Sequence, residues 1–217
     1  MGHTPGMATV PARSADAAAA PRGVRGRPAR YSREELLGLI VAVFNERGYE
    51  AASMADLAAA TGLTKSSFYH HFTSKEEILQ MAVDRALDAL SAALDESTAL
   101  PGTAADRLAD AIRRTTEILI DELPFVTVLL RVRGNTAVER QTLERRRRID
   151  ARLAGLVEEA ARAQEIRGDI DPRMVSRLLF GMVNSVHEWY RPGNRTGSRR
   201  AIVDATVSIA LNGLRPR

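Results

Sequence analysis

The chain has 217 residues, 45% hydrophobic and 27% charged, the make-up of an ordinary globular protein with enough apolar mass for a core. It has no cysteine, which excludes disulfides, thiolate metal sites and thiol catalysis, and no apolar run approaches the ~18 residues that a membrane span requires. The formal net charge of +4 matches the excess in residues 1–30 alone, where Arg13, Arg22, Arg25, Arg27 and Arg30 face only Asp16.

Residues 1–29 read as a disordered basic arm. The first twenty are rich in Ala, Gly and Pro without periodicity, and lack the continuous apolar core of a secretory signal, so a cytoplasmic protein is expected. Arg25 and Arg27 alternate with residues that keep the backbone extended or flexible. They suit phosphate contacts or entry into a minor groove, with a solvated leader as the alternative.

Ser32 with Glu35 makes a capping box, and Leu36, Leu37, Leu39, Ile40, Val43 and Phe44 give the following helix a broad apolar face as far as Arg47, before Gly48. Then comes SMADLAAATGLTKSSFYHHF, residues 53–72. Ser53 is placed as the N-cap of a two-turn helix ending at Thr61, with Asp56 in its first turn. Gly62 can take the left-handed conformation that closes the helix, and Thr64 can cap a second helix from Lys65. This is helix-turn-helix spacing. Lys65, Ser66 and Ser67 fall in the first turn of the second helix, the end that reaches bases and phosphates in such motifs. Phe68 and Phe72 share its inner face, and Tyr69 and His70 project away from that face. An αα-hairpin without a ligand has the same turn but not all of these offsets.

Over residues 30–90 the chain resembles the DNA-binding headpiece of the TetR family of bacterial transcriptional regulators, on GYEAASMADLAAATGLTKSSFYHHFTSKEEIL above all. The family more often has Gly or Ala where Ser67 stands, and Leu57 replaces a β-branched Ile or Val. The first departure bears on which base is read. The resemblance implies an all-α fold with an N-terminal three-helix headpiece and a C-terminal helical domain, residues 91–217, for effector binding and dimerisation. It implies direct DNA contacts from Lys65, Ser66, Ser67, Tyr69 and His70, with Ser53, Thr64, Lys75, Arg25 and Arg27 also assigned to DNA.

Ser74 and Glu77 have capping-box spacing, opening a helix from Lys75 to about Glu96 that by resemblance links the two domains mechanically. Pro101-Gly102 breaks the chain. Thr103 caps a helix to about Leu123, and Phe125, Val126, Val128, Leu129, Leu130 and Val132 crowd into eight residues that belong in a core or line a cavity. Asn135 or Thr136, the latter with Glu139 three residues on, starts a helix to about Gln164. Its run Arg145 to Arg148 spreads around the axis at about 100° per residue, which fits a solvated surface paired to Glu144 and Asp150, or else a site for an anionic head group. Asp171-Pro172 starts a helix whose apolar residues form two adjacent rows, and Ser198 caps the last.

Two terminal apolar helices resemble the family's dimerisation module, a four-helix bundle shared by two subunits. The string EWYRPG, residues 188–193, resembles a subgroup tied to fatty-acid, sterol and other acyl-CoA catabolism. Candidate effector residues are Phe125, Leu129, Arg133, Asn184, His187 and Trp189. An enzyme is not expected, because His3, His70, His71 and His187 form no HExxH or carboxylate cluster and no phosphate loop is present. No cofactor and no metal are expected. The reading is a homodimeric repressor on a double-stranded operator with two related half-sites, released by a small apolar or acyl-CoA-type effector. The alternative is a DNA-binding regulator without an effector, controlled by a protein partner or acting as an activator.

Overall fold

Among the described residues, eight of nine helices begin behind a Ser, Thr or Asp whose side chain accepts a backbone N–H of the first turn. Such caps satisfy donors that the helix itself leaves open, at about 1 kcal/mol each. The computed structural model describes Met1, residues 31–193 and residues 197–214; the basic arm, with Arg25 and Arg27, lies outside them. Among the described residues the chain is all-α, and no helix is long and apolar enough to cross a membrane.

Three helices make the headpiece: α1 (Arg33–Arg47), α2 (Met54–Thr61) and α3 (Lys65–His71). Gly48 and Gly62 end the first two at φ 88° and 67°, a region that side-chain-bearing residues enter only with strain. Leu36, Ile40, Phe44, Leu57, Phe68 and Phe72 are at most 2% exposed and form the headpiece core. Burying each large side chain is worth roughly 1.5–3 kcal/mol, enough to hold three short helices together. Leu63, expected in that core, is only partly buried.

The long helix α4 (Lys75–Ala99) starts in the headpiece and ends in the body, rising about 37 Å at 1.5 Å per residue. Its start departs from the expected capping box. Ser74 does accept the Glu77 N–H, but the Glu77 carboxylate turns to Thr73, taking its N–H at 2.7 Å and its hydroxyl at 2.6 Å, and to Arg33 of α1. The box is traded for a tie between α1 and α4.

The body holds α5 (Ala104–Asp121), α6 (Leu123–Arg131), α7 (Ala137–Arg162), α8 (Pro172–Trp189) and α9 (Arg199–Gly213). α5 lies among α4, α7, α8 and α9, while α6 packs on both α1 and α4. α6 has no side-chain cap. Glu122 ends α5 and begins α6 at once, with Pro124 in the first turn. The α6–α7 loop closes over Glu139, which is 4% exposed and accepts N–H bonds from Arg133, Gly134 and Asn135.

Candidate DNA-reading surface and interior cavity

Along α3 the burial alternates as the helical period demands. Phe68 is fully buried, Ser67 partly, and Lys65, Ser66, Tyr69 and His70 are exposed. The buried side is fixed by a 5.5 Å contact between the Phe68 and Phe72 rings, with the Arg33 guanidinium 5.5 Å over Phe72 and donating to the His71 carbonyl at 3.1 Å. An exposed, cationic and hydroxyl-bearing face on a helix this firmly anchored can meet a groove without paying much ordering entropy.

Two residues assigned to DNA from the sequence also have partners within the chain. The Ser53 hydroxyl donates to Asp56 at 2.6 Å and accepts the Asp56 N–H, so it caps α2. Lys75 is the more fully engaged of the two. Its ammonium donates to the carbonyls of Tyr49 at 2.9 Å and Glu50 at 3.2 Å and sits 4.5 Å over the Tyr49 ring. It braces the α1–α2 loop. Thr64 combines both readings, being exposed while its hydroxyl accepts the Ser67 N–H.

Headpiece and body meet at a cluster around Arg85 of α4. Its guanidinium grips Glu122 at 2.7 and 2.8 Å, reaches Glu34 of α1 at 2.8 Å, and lies 4.3 Å from the Phe125 ring centroid. Asn45 donates to the Pro124 carbonyl at 2.8 Å, and Arg131 donates to the Asn45 carbonyl at 2.6 Å. Beside this cluster lies a cleft of about 650 Å³, bordered by Arg47, Tyr49, Arg131, Arg133 and Glu139 among others. Burial first, then the Glu76, Glu50 and Glu139 carboxylates, push the Tyr49 phenol up to about 12, so it remains a neutral donor there.

A second, smaller cavity of about 40 Å³ lies inside the body, where α4, α5, α6, α7 and α8 converge. Leu90, Leu119, Leu129, Leu130, Ile149 and Phe180 make it apolar, and Thr115, Asn184, Arg146 and Asp150 give it polar groups. Only Leu129 and Asn184 of the six candidate effector residues meet here. Phe125 sits under Arg85 at the headpiece junction, and Arg133 borders the larger cleft. The His187 ring is tied to the Asn184 carbonyl, and Trp189 is 44% exposed. These four had chemistry suited to a ligand, but the packing sends them elsewhere.

Ile149 and Phe180 are cavity residues that the sequence did not single out, and Arg146 was singled out only as one of a run of four. The arginine run is not a uniform solvated face, and its ion pairs are not those expected. Arg145 pairs with Asp84 and Asp88 of α4, Arg147 and Arg148 are exposed, and Arg146 turns inward. Desolvation holds the Arg146 guanidinium below its ordinary pKa despite the attraction of Asp150. Asp150 is exposed on one side, yet desolvation raises its carboxyl above the ordinary range, against Arg146 and Arg177. No group of His, Asp and Glu suited to hold a metal ion occurs among the described residues.

On the outer side of α8 the apolar residues Met174 and Leu178 are 56% and 65% exposed, and Ile209 of α9 is 65% exposed. These are the outer of the two apolar rows on α8. The inner row, Val175, Leu179, Val183 and Val186, is buried in the body.

Comparison with known proteins gives two family models. Residues 36–82 match "Bacterial regulatory proteins, tetR family" and residues 101–214 match "Tetracyclin repressor-like, C-terminal domain". The transcriptional repressor KstR2 of Rhodococcus jostii is 30% identical over 186 residues, 84% of this chain and 90% of that protein. The crystal structure of SCO3833, a TetR-family member from Streptomyces coelicolor, is 52% identical with a TM-score of 0.77, over 83% of this chain and 90% of that one. AibR, solved with isovaleryl coenzyme A and operator DNA, shares the fold at 23% identity and a TM-score of 0.70, over 82% and 96%.

Proposed function

Because the chain belongs to the TetR family of transcriptional regulators, we propose that it is a homodimeric repressor that binds an operator with two related half-sites and leaves it when a small apolar or acyl-CoA-type effector enters the body. Lys65, Ser66, Ser67, Tyr69 and His70 carry the direct DNA contacts, with Thr64 and the arginines Arg25 and Arg27 on phosphates. The headpiece spans residues 30–90 and the effector and dimerisation domain residues 91–217. The observation that carries this reading is α4. Its Ile78 and Leu79 are fully buried at the end of α4 that packs on α1 of the headpiece, and Leu90, about 18 Å further along, borders the interior cavity.

The exposed rows of α8 and α9 supply the dimer contact, since an apolar face of this kind is normally covered in the functional protein. Two copies then present their α3 helices to successive major-groove segments. A cavity of about 40 Å³ takes one or two waters and no acyl chain, so the effector favours a state in which the helices around it have parted. Moving Leu90 moves α4, and α4 carries the headpiece. The ligand therefore binds the DNA-free arrangement better than the DNA-bound one, which is the thermodynamic requirement for release. AibR shows that a protein of this fold accommodates an acyl-CoA together with operator DNA, and the KstR2 relative is named as a repressor.

The small cavity also favours a second reading, a regulator without an effector that is controlled by a protein partner or acts as an activator. Fluorescence anisotropy on DNA from the protein's own upstream region separates the two. Titrating acyl-CoA esters, free acids and coenzyme A into the complex should release the DNA with one class. Tight binding with no release by any of them would leave the regulator and remove the effector.

A further inference from the structure

The arginines of α7 that face the rest of the body differ in how they are matched. Arg145 pairs with Asp84 and Asp88, and Arg152 pairs with Asp95, so the cations facing α4 are each matched by a carboxylate. Arg146 turns into the apolar cavity. There it makes one long hydrogen bond, 3.5 Å to the Leu129 carbonyl, and no ion pair among the described residues. A guanidinium offers five N–H donors in a flat fork that suits a carboxylate. Holding one among leucines with a single weak acceptor costs stability, because removal from water is repaid only by close partners. Asp150, one turn on along α7, lines the same cavity and attracts the guanidinium, but it is exposed and makes no hydrogen bond or close ion pair with it.

We propose that Arg146 is the residue that selects the effector by charge: the ligand is a hydrophobic small molecule ending in an oxyanion, its anionic end on the Arg146 guanidinium and its apolar body among Leu90, Leu119, Leu129 and Ile149. This rests on the reading of the interior cavity as the effector site. The Asn184 side chain, on the opposite wall, donates a second hydrogen bond to the same end. A ligand oxyanion supplies the direct hydrogen-bonded partner that Asp150 does not, which makes the open, occupied arrangement more stable relative to the closed one. A neutral ligand of equal size gains no such term. The oxyanion has two sources, a free carboxylate or the phosphates of a coenzyme A ester, whose acyl carbonyl is itself neutral.

The test uses the full-length protein, the variants Arg146→Met and Arg146→Lys, and three probes: octanoate, octanol and octanoyl-CoA. Without any probe, Arg146→Met should melt higher than wild type, by roughly 2–4 °C for a chain of this size, because it keeps the stem's packing and removes a desolvated cation that no carboxylate contacts directly. A lower melting temperature would make Arg146 a structural residue and overturn the proposal. By calorimetry, wild type should bind octanoate or octanoyl-CoA about tenfold or more tightly than octanol, as a charge-assisted hydrogen bond provides. Arg146→Met should bind all three within about twofold of one another, and Arg146→Lys should recover part of the preference. Which anionic probe wins identifies the source of the oxyanion. Equal binding of octanol by wild type, or a preference unchanged in Arg146→Met, would overturn the charge selection and leave the effector site intact. Failure of all three probes to bind wild type would remove the effector site and this inference together.

Discussion

Lys65 and Lys75 have the same side chain and opposite situations. Lys65 is exposed on the first turn of α3, while Lys75 has two carbonyl acceptors and an aromatic ring. Replacing Lys65 by Ala should weaken operator binding and lower the slope of log affinity against log salt by about one, the signature of one lost phosphate contact. An unchanged slope in anisotropy titrations at several salt concentrations would take Lys65 off the phosphates. Glu139 is a different kind of single residue. It is almost fully buried and receives three backbone N–H donors, so Glu139→Ala strands all three and should cost about 1–3 kcal/mol in urea unfolding.

Elements are held by contacts that the local sequence only half announces. The capping residues Ser32, Ser53, Thr64 and Asp171 were legible because a cap acts within three residues, and Gly62 because a left-handed turn has few occupants. Glu77 was misassigned because Thr73 and Arg33 compete for it, and Arg33 is 44 positions away. Arg146 was illegible for a related reason: four identical residues at 100° steps do not reveal which of them meets the core. The same capping carboxylates make the headpiece sensitive to acid. Hydrogen bonds from Ser32 hold Glu35 below its ordinary value of 4.5, those from Ser53 hold Asp56 below 3.8, and those from Thr73 hold Glu77 below 4.5. The folded headpiece thus binds fewer protons than the unfolded one. Its extra stability is complete above those ordinary values and disappears as the pH falls through the lower, folded ones. Thermal unfolding followed from pH 6 to pH 3 should show the headpiece weakening in acid, and Glu77→Gln should flatten part of that dependence. In the Arg85 cluster, Arg85→Met should loosen α1 against α6. Faster amide exchange in α1 with α7 unchanged would report it.

At the scale of the whole molecule, the sequence's apolar periods revealed helices but not which side of each is covered within one chain. Both rows of α8 looked alike, and only the fold separates Leu179, at 6% exposure, from Leu178. If the outer row joins two copies, Leu178→Glu places a charge at the centre of that contact. Sedimentation should then show a folded monomer, and operator affinity should fall steeply because one α3 reads only half the site. A dimer that persists would move the contact away from α8.

A chain with arginine nearly everywhere and lysine at two positions has a chemical consequence of its own. Primary amines can be acylated, whereas guanidinium groups resist the same reagents, so a mild acylating dye finds only the N-terminus, Lys65 and Lys75. Lys75 is shielded by its two carbonyls and the Tyr49 ring, which leaves Lys65 as the fast-reacting side chain. Routine amine tagging would therefore blunt the very tip of the reading helix. Used with intent, the same reaction becomes a footprint, in which mass spectrometry follows one amine disappearing beneath bound operator and returning when the operator leaves.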